Sequence, residues 1–122
     1  MDSKKKASIA IDMKYGKIRI HRNTVNALGR PEYISLIINP VDRTLGVKRS
    51  SAEDKEAHHL NMRFFEGRSC CRLNSLSLTR DISAICPEWK ERQCVTLKGN
   101  LIPAENMVIF SLNTSNGTND ER

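Results

Sequence analysis

The sequence predicts a mainly β, small α+β protein in which two tandem repeats close one pseudo-symmetric small barrel, and three observations predict it. Short β-rich or alternating apolar segments (SIAID, KIRIH, YISLII, QCVTLKG, MVIFSL) recur along the chain, separated by Gly, Pro, Asn and Asp turn signals. A pattern read at 16–33 returns in weaker form at 76–89. The length, 122 residues with one Trp, two Tyr and three Phe, fits one compact unit with a core of Ile, Leu and Val, or two very small units sharing that core.

In order along the chain, residues 1–7 (MDSKKKA) read as a disordered basic arm. Residues 8–49 form the first repeat. SIAID alternates Ile9 and Ile11 and reads as a short edge strand, and MKYG turns into the next segment. In GKIRIH, Ile18 and Ile20 fall on one face while Lys17, Arg19 and His21 fall on the other. Asn23 or Thr24 is placed to cap a short helix with Val25 and Leu28 as its apolar pair, and Gly29 suits the position after the helix, where positive φ is needed. Pro31 ends that helix, and 33–49 reads as a hairpin around Asn39-Pro40-Val41-Asp42-Arg43. Residues 50–62 carry no strand signal and read as a linker or short helix. The second repeat is 63–112: a hairpin around Glu66-Gly67, a strand at 76–78 with Leu76 and Leu78 buried, and a further hairpin from 93–99 to 107–112. The tail, 113–122, is polar and reads as disordered.

The charge is confined to one end. Residues 1–30 hold eight Lys or Arg against two acids and so carry the whole net charge of +6, while the other 92 residues balance. Such a one-sided field implies an anionic partner; the bland reading is a solubility tail beside a solvated strand face. No apolar run is long enough to span a bilayer, and the N-terminus lacks an apolar signal segment, so a cytoplasmic location without membrane contact is expected, with the four cysteines as thiols.

The repeat is carried by Ile20-His21-Arg22-Asn23 before Val25 and Leu28, set against Leu78-Thr79-Arg80-Asp81 before Ile82 and Ile85. Pro31-Glu32-Tyr33 and Pro87-Glu88-Trp89 follow in the same order. The run from Gly16-Lys17-Ile18-Arg19-Ile20-His21 to Leu28-Gly29 resembles the AbrB/SpoVT swapped-hairpin domain of bacterial transition-state regulators and antitoxins. That resemblance implies two degenerate swapped-hairpin-like copies in one polypeptide, and DNA binding. Lys17 matches a basic position of the family; His21 and Thr79 replace its proline. Val25 and Asn26 stand where some members place DNA-contacting arginines, so those contacts do not carry over.

No nucleophile elbow, phosphate loop or HExxH occurs, and no enzyme is expected. His58, His59, Cys70, Cys71, Cys86 and Cys94 include only adjacent pairs or isolated positions, against the two-to-four-residue spacing of structural zinc sites. Neither metal nor cofactor is therefore expected; Cys94 and one of Cys70 and Cys71 read as small core residues. What remains is a nucleic-acid contact set of Lys14, Lys17, Arg19, His21, Arg22, Arg30 and Arg80, in a DNA-binding transcriptional regulator of bacterial or mobile-element type. The alternative is a phage- or plasmid-type protein-interaction module that inhibits a nucleic-acid-handling machine. With neutral Ser75, Ser77 and Thr79 on the second strand, the first half is expected to make the contacts and the second to close the barrel, which implies a homodimer or an asymmetric site.

Overall fold

The computed structural model describes residues 7–60, 70–91 and 94–113. Among them, eight antiparallel strands form one sheet that curls into a nearly closed barrel, with two α-helices. The strands are β1 (Ala7–Asp12), β2 (Lys17–His21), β3 (Tyr33–Asn39), β4 (Thr44–Arg49), β5 (His58–His59), β6 (Cys70–Asn74), β7 (Cys94–Ile102) and β8 (Met107–Ser111), in the order β5-β3-β4-β8-β7-β1-β2-β6. Helix α1 is Arg22–Ala27 and α2 is Leu76–Ile85. The sequence expectations for 1–6, for the turn at Glu66-Gly67 and for 114–122 lie outside the described residues.

Period-two alternation builds the interior. Ile9, Ile11, Ile18, Ile20, Leu45, Val47, Leu97, Val108 and Phe110 are all fully or almost fully buried on the inner face. Strand β1 is not an edge: it lies between β7 and β2, and even its outward Ser8 and Ala10 are buried. Helix α1 contacts β1 and β2, and its Val25 and Leu28 join the inner core. Where β2 turns into α1, the Thr24 hydroxyl takes over the ladder, accepting from Ser8 N–H at 2.9 Å and donating to the Ser8 carbonyl at 2.7 Å. Thr24 is thereby committed to β1 and does not cap the helix; the N-cap is His21, without a side-chain cap bond. Gly29 does adopt positive φ, +82°, as the position after the helix requires.

The second half departs most from expectation. Residues 76–85 form one continuous helix, not a strand at 76–78, and Leu76 is 53% exposed. Ser75 explains the choice, since its hydroxyl accepts from Leu78 N–H at 3.2 Å and caps the helix. Leu78, Thr79 and Ile82 then form the buried face, with Ile85 partly buried beyond it. Two aliphatics two apart fit a strand, but Leu78, Ile82 and Ile85 fit a helix better. The strand that pairs with β2 is β6, upstream of Ser75. The residue-by-residue alignment of 20–23 with 78–81 is therefore overturned. Residues 50–57 form turns rather than a helix and lead into β5.

Two arginines tie the β3–β4 hairpin to the rest. Arg43, at φ +55°, donates to Cys86 Sγ at 2.9 Å and to Glu88 Oε2 at 3.0 Å, while its carbonyl accepts from Leu112 N–H. Arg49 donates to the Leu28 carbonyl at 2.7 Å, at the end of α1.

Candidate nucleic-acid interface

The antiparallel registers place outward residues of four adjacent strands in rows. Ala10 of β1 faces Thr96 of β7 on one side and Arg19 of β2 on the other, and Arg19 faces Arg72 of β6. The next row toward the β1–β2 turn holds Cys94, Asp12, Lys17 and Asn74. In the other direction, Ser8 is opposite Lys98, His21 is opposite Cys70, and Ser8 Oγ lies 2.5 Å from His21 Nδ1. Lys17, Arg72 and Lys98 are exposed, and Arg19 and His21 are half-buried. The result is a strip of four cations over small residues, Ser8 and Ala10, on the outer face of β7-β1-β2-β6.

Arg19 and Arg72 sit directly opposite each other, a cross-strand arrangement of like charges that costs stability in isolation. Arg19 reaches away from Arg72, over the buried Ala10, to Cys94 Sγ at 3.5 Å. Asp12 is the carboxylate on this face of β1; its Oδ1 accepts from the Lys14 and Tyr15 amides at 3.0 and 3.1 Å and shapes the β1–β2 turn. Burial holds the His21 pKa below its ordinary value, with Arg19 and Lys98 acting in the same direction.

Of the residues expected from sequence, Lys17, Arg19 and His21 share this face of β2, as the alternation implied. Lys14 lies in the adjoining turn, its ammonium 5.3 Å from the centre of the exposed Tyr15 ring. Arg22 begins α1, and Arg30 follows that helix, donating to Asn26 Oδ1 at 3.1 Å. Arg80 is exposed on α2 and belongs to no strand of the strip. Sequence reasoning missed Arg72 and Lys98. Both alternate with buried neighbours, Cys71 and Leu73 in one case and Leu97 and Gly99 in the other, so their outward direction was legible. The register that sets them beside β1 and β2 was not. Both residues come from the second half and lie in register beside the first-half cations.

The cysteine expectation also changes: Cys71 and Cys86 are buried, and Cys94 is exposed. Among the described residues, no three His, Cys, Asp or Glu side chains converge as a metal site, and no helix is long and apolar enough to cross a membrane. A cleft of about 530 Å³ between β3 and α2 has Glu56, Asp81 and His58 among its lining residues. No family model, no curated protein and no solved structure matches the chain.

Proposed function

We propose that this protein binds duplex nucleic acid, as a DNA-binding transcriptional regulator, by laying Lys17, Arg19, Arg72 and Lys98 on the phosphate backbone. The observation that carries the reading is the Arg19–Arg72 pair, two cations set opposite each other with no acid in their row. A bound phosphate relieves that repulsion, so the arrangement favours an anionic ligand. Among the described residues, the strand positions of the strip hold no Phe, Tyr or Trp on which an unpaired base could stack, which favours a duplex over a single strand. Four strands span about 14 Å at the usual strand spacing. That exceeds the major groove width of about 12 Å, which favours contact with the backbones that border a groove.

The resemblance to swapped-hairpin regulators belongs to the same proposal. At the level of elements, strand–helix–strand–strand occurs twice, as β2-α1-β3-β4 and as β6-α2-β7-β8. Exchanging the halves, with β1 taken for β5, converts six of the seven strand pairings into pairings that are present. The seventh, β1–β2, becomes β5–β6, the two ends of the sheet. This correspondence supports two tandem, pseudo-symmetric copies, although the helices differ in length.

Titration of a random-sequence DNA duplex at rising salt tests the proposal. If all four cations meet phosphates, the log–log slope is about −3.6, at about −0.9 per contact. No binding at low salt would refute it. The protein-interaction alternative draws on a different surface, where exposed Ile37 and Ile102 adjoin Met107 and Ile109 on the outer side of β3-β4-β8-β7.

A further inference from the structure

Resting on the nucleic-acid reading of the same face, we infer that His21 is a proton-accepting contact: a phosphate backbone laid across Lys98, Arg19 and Arg72 is met by an imidazolium, and forming the complex takes up a proton. The geometry puts the ring where it senses such a ligand. His21 is on the same face of β2 as Arg19, two residues along, and its Nδ1 is held by Ser8 Oγ, whose own cross-strand partner on the far side is Lys98.

The groups that act on the ring are Ser8 from β1, through its hydroxyl, and the cations Arg19 from β2 and Lys98 from β7. The nearest carboxylate on the outward side of β1, Asp12, is at the other end of that strand and is engaged by turn amides. In the free protein, burial and two cations therefore disfavour the charged ring, and a neutral ring with Nδ1 unprotonated accepts from the Ser8 hydroxyl. A phosphate bound between those cations reverses the local field and favours the charged ring. The Ser8 hydroxyl, which both donates and accepts, then turns to accept from Nδ1–H. Binding and protonation are coupled because the anion favours the same charge state that the empty site disfavours.

The test is the affinity of the full chain for a random-sequence DNA duplex at fixed ionic strength, from about pH 8 to about pH 5.5, where histidine titrates. The wild type should bind more tightly as pH falls, approaching about tenfold per pH unit, the limit for one proton. His21→Gln, which offers a polar group but does not titrate, should bind with a flatter profile. A parallel NMR titration should show the His21 pKa rising on duplex binding. A flat wild-type profile, or an equal pH dependence in His21→Gln, overturns the inference and leaves the nucleic-acid reading standing. No binding at any pH or salt removes that reading and this inference with it.

Discussion

The outer faces on either side of β7 differ in kind, although the inner faces do not. Toward β1, β2 and β6 the outward residues include the cations Lys98, Arg19, Arg72 and Lys17 around buried Ser8 and Ala10, with Asp12, Thr96, Asn74 and His21 among them. Toward β8, β4 and β3 they are Asn100, Ile102, Met107, Ile109, Gly46, Ile37 and Ser35, with Lys48 as the cation. Both faces cover the same aliphatic core, and period-two alternation serves both. The difference teaches that the fold does not need the basic strip. A sheet whose opposite side folds with neutral outward residues gains nothing from an Arg–Arg cross-strand pair, and that pair is the feature on which the proposed phosphate contact rests.

The largest effect on stability should come from Thr24→Val, which breaks the support of the basic face alone. It leaves Ser8 N–H and C=O without their partner at a buried position and should cost about 2–6 kcal/mol in denaturant unfolding, at about 1–3 kcal/mol per unsatisfied group. Next is Gly99→Ala, at the strand both faces share. A Cβ there would lie 2.7 Å from the Ile109 carbonyl oxygen and 2.7 Å from Phe110 Cδ2, so the melting temperature should fall by an amount equivalent to about 1–3 kcal/mol.

Smaller effects sharpen the contrast. Because the pKa of His21 is lowered in the folded state, the unfolded chain binds more protons once pH falls below about 6.5. Folding stability should therefore decline from about pH 6.5 downward to the folded pKa, and His21→Gln should decline less over that interval in unfolding curves taken at successive pH values. Ile37→Thr, on the exposed neutral face, should change stability within about ±0.5 kcal/mol and leave duplex affinity unaltered. A marked loss of affinity there would mean that the two faces do not act separately.

Much of this was legible in residue chemistry. Ile18 and Ile20 announced the inward side of β2, and with it the outward direction of Lys17, Arg19 and His21. Gly29 announced the end of α1. Position along the chain was less informative where two periodicities overlap: Leu76 and Leu78 fit a strand until Ser75 supplies a cap and Ile82 extends the helical face. The Thr24 hydroxyl resembled a helix cap because its other use, bridging the backbone of a strand sixteen residues earlier, is a tertiary contact. Arg72 and Lys98 escaped for the same reason. Alternation gives a residue's side of the sheet, but neighbours across strands depend on register, which no local pattern specifies.

The most direct test is the salt dependence of duplex binding in three proteins: wild type, Arg19→Ala/Arg72→Ala, and a charge-matched control, Lys48→Ala/Lys55→Ala. Arg43 and Arg49 are unsuitable as controls because each holds the β3–β4 hairpin to other elements. Lys48 and Lys55 are exposed and lie off the strip. Loss of two phosphate contacts should make the log–log slope shallower by about 1.8 and weaken binding about 60-fold at 0.1 M salt, relative to the same contacts extrapolated to 1 M. The fold should remain intact, and the control should keep the wild-type slope. Equal loss in both double variants would show that net charge alone matters and would contradict a localised site on β7-β1-β2-β6.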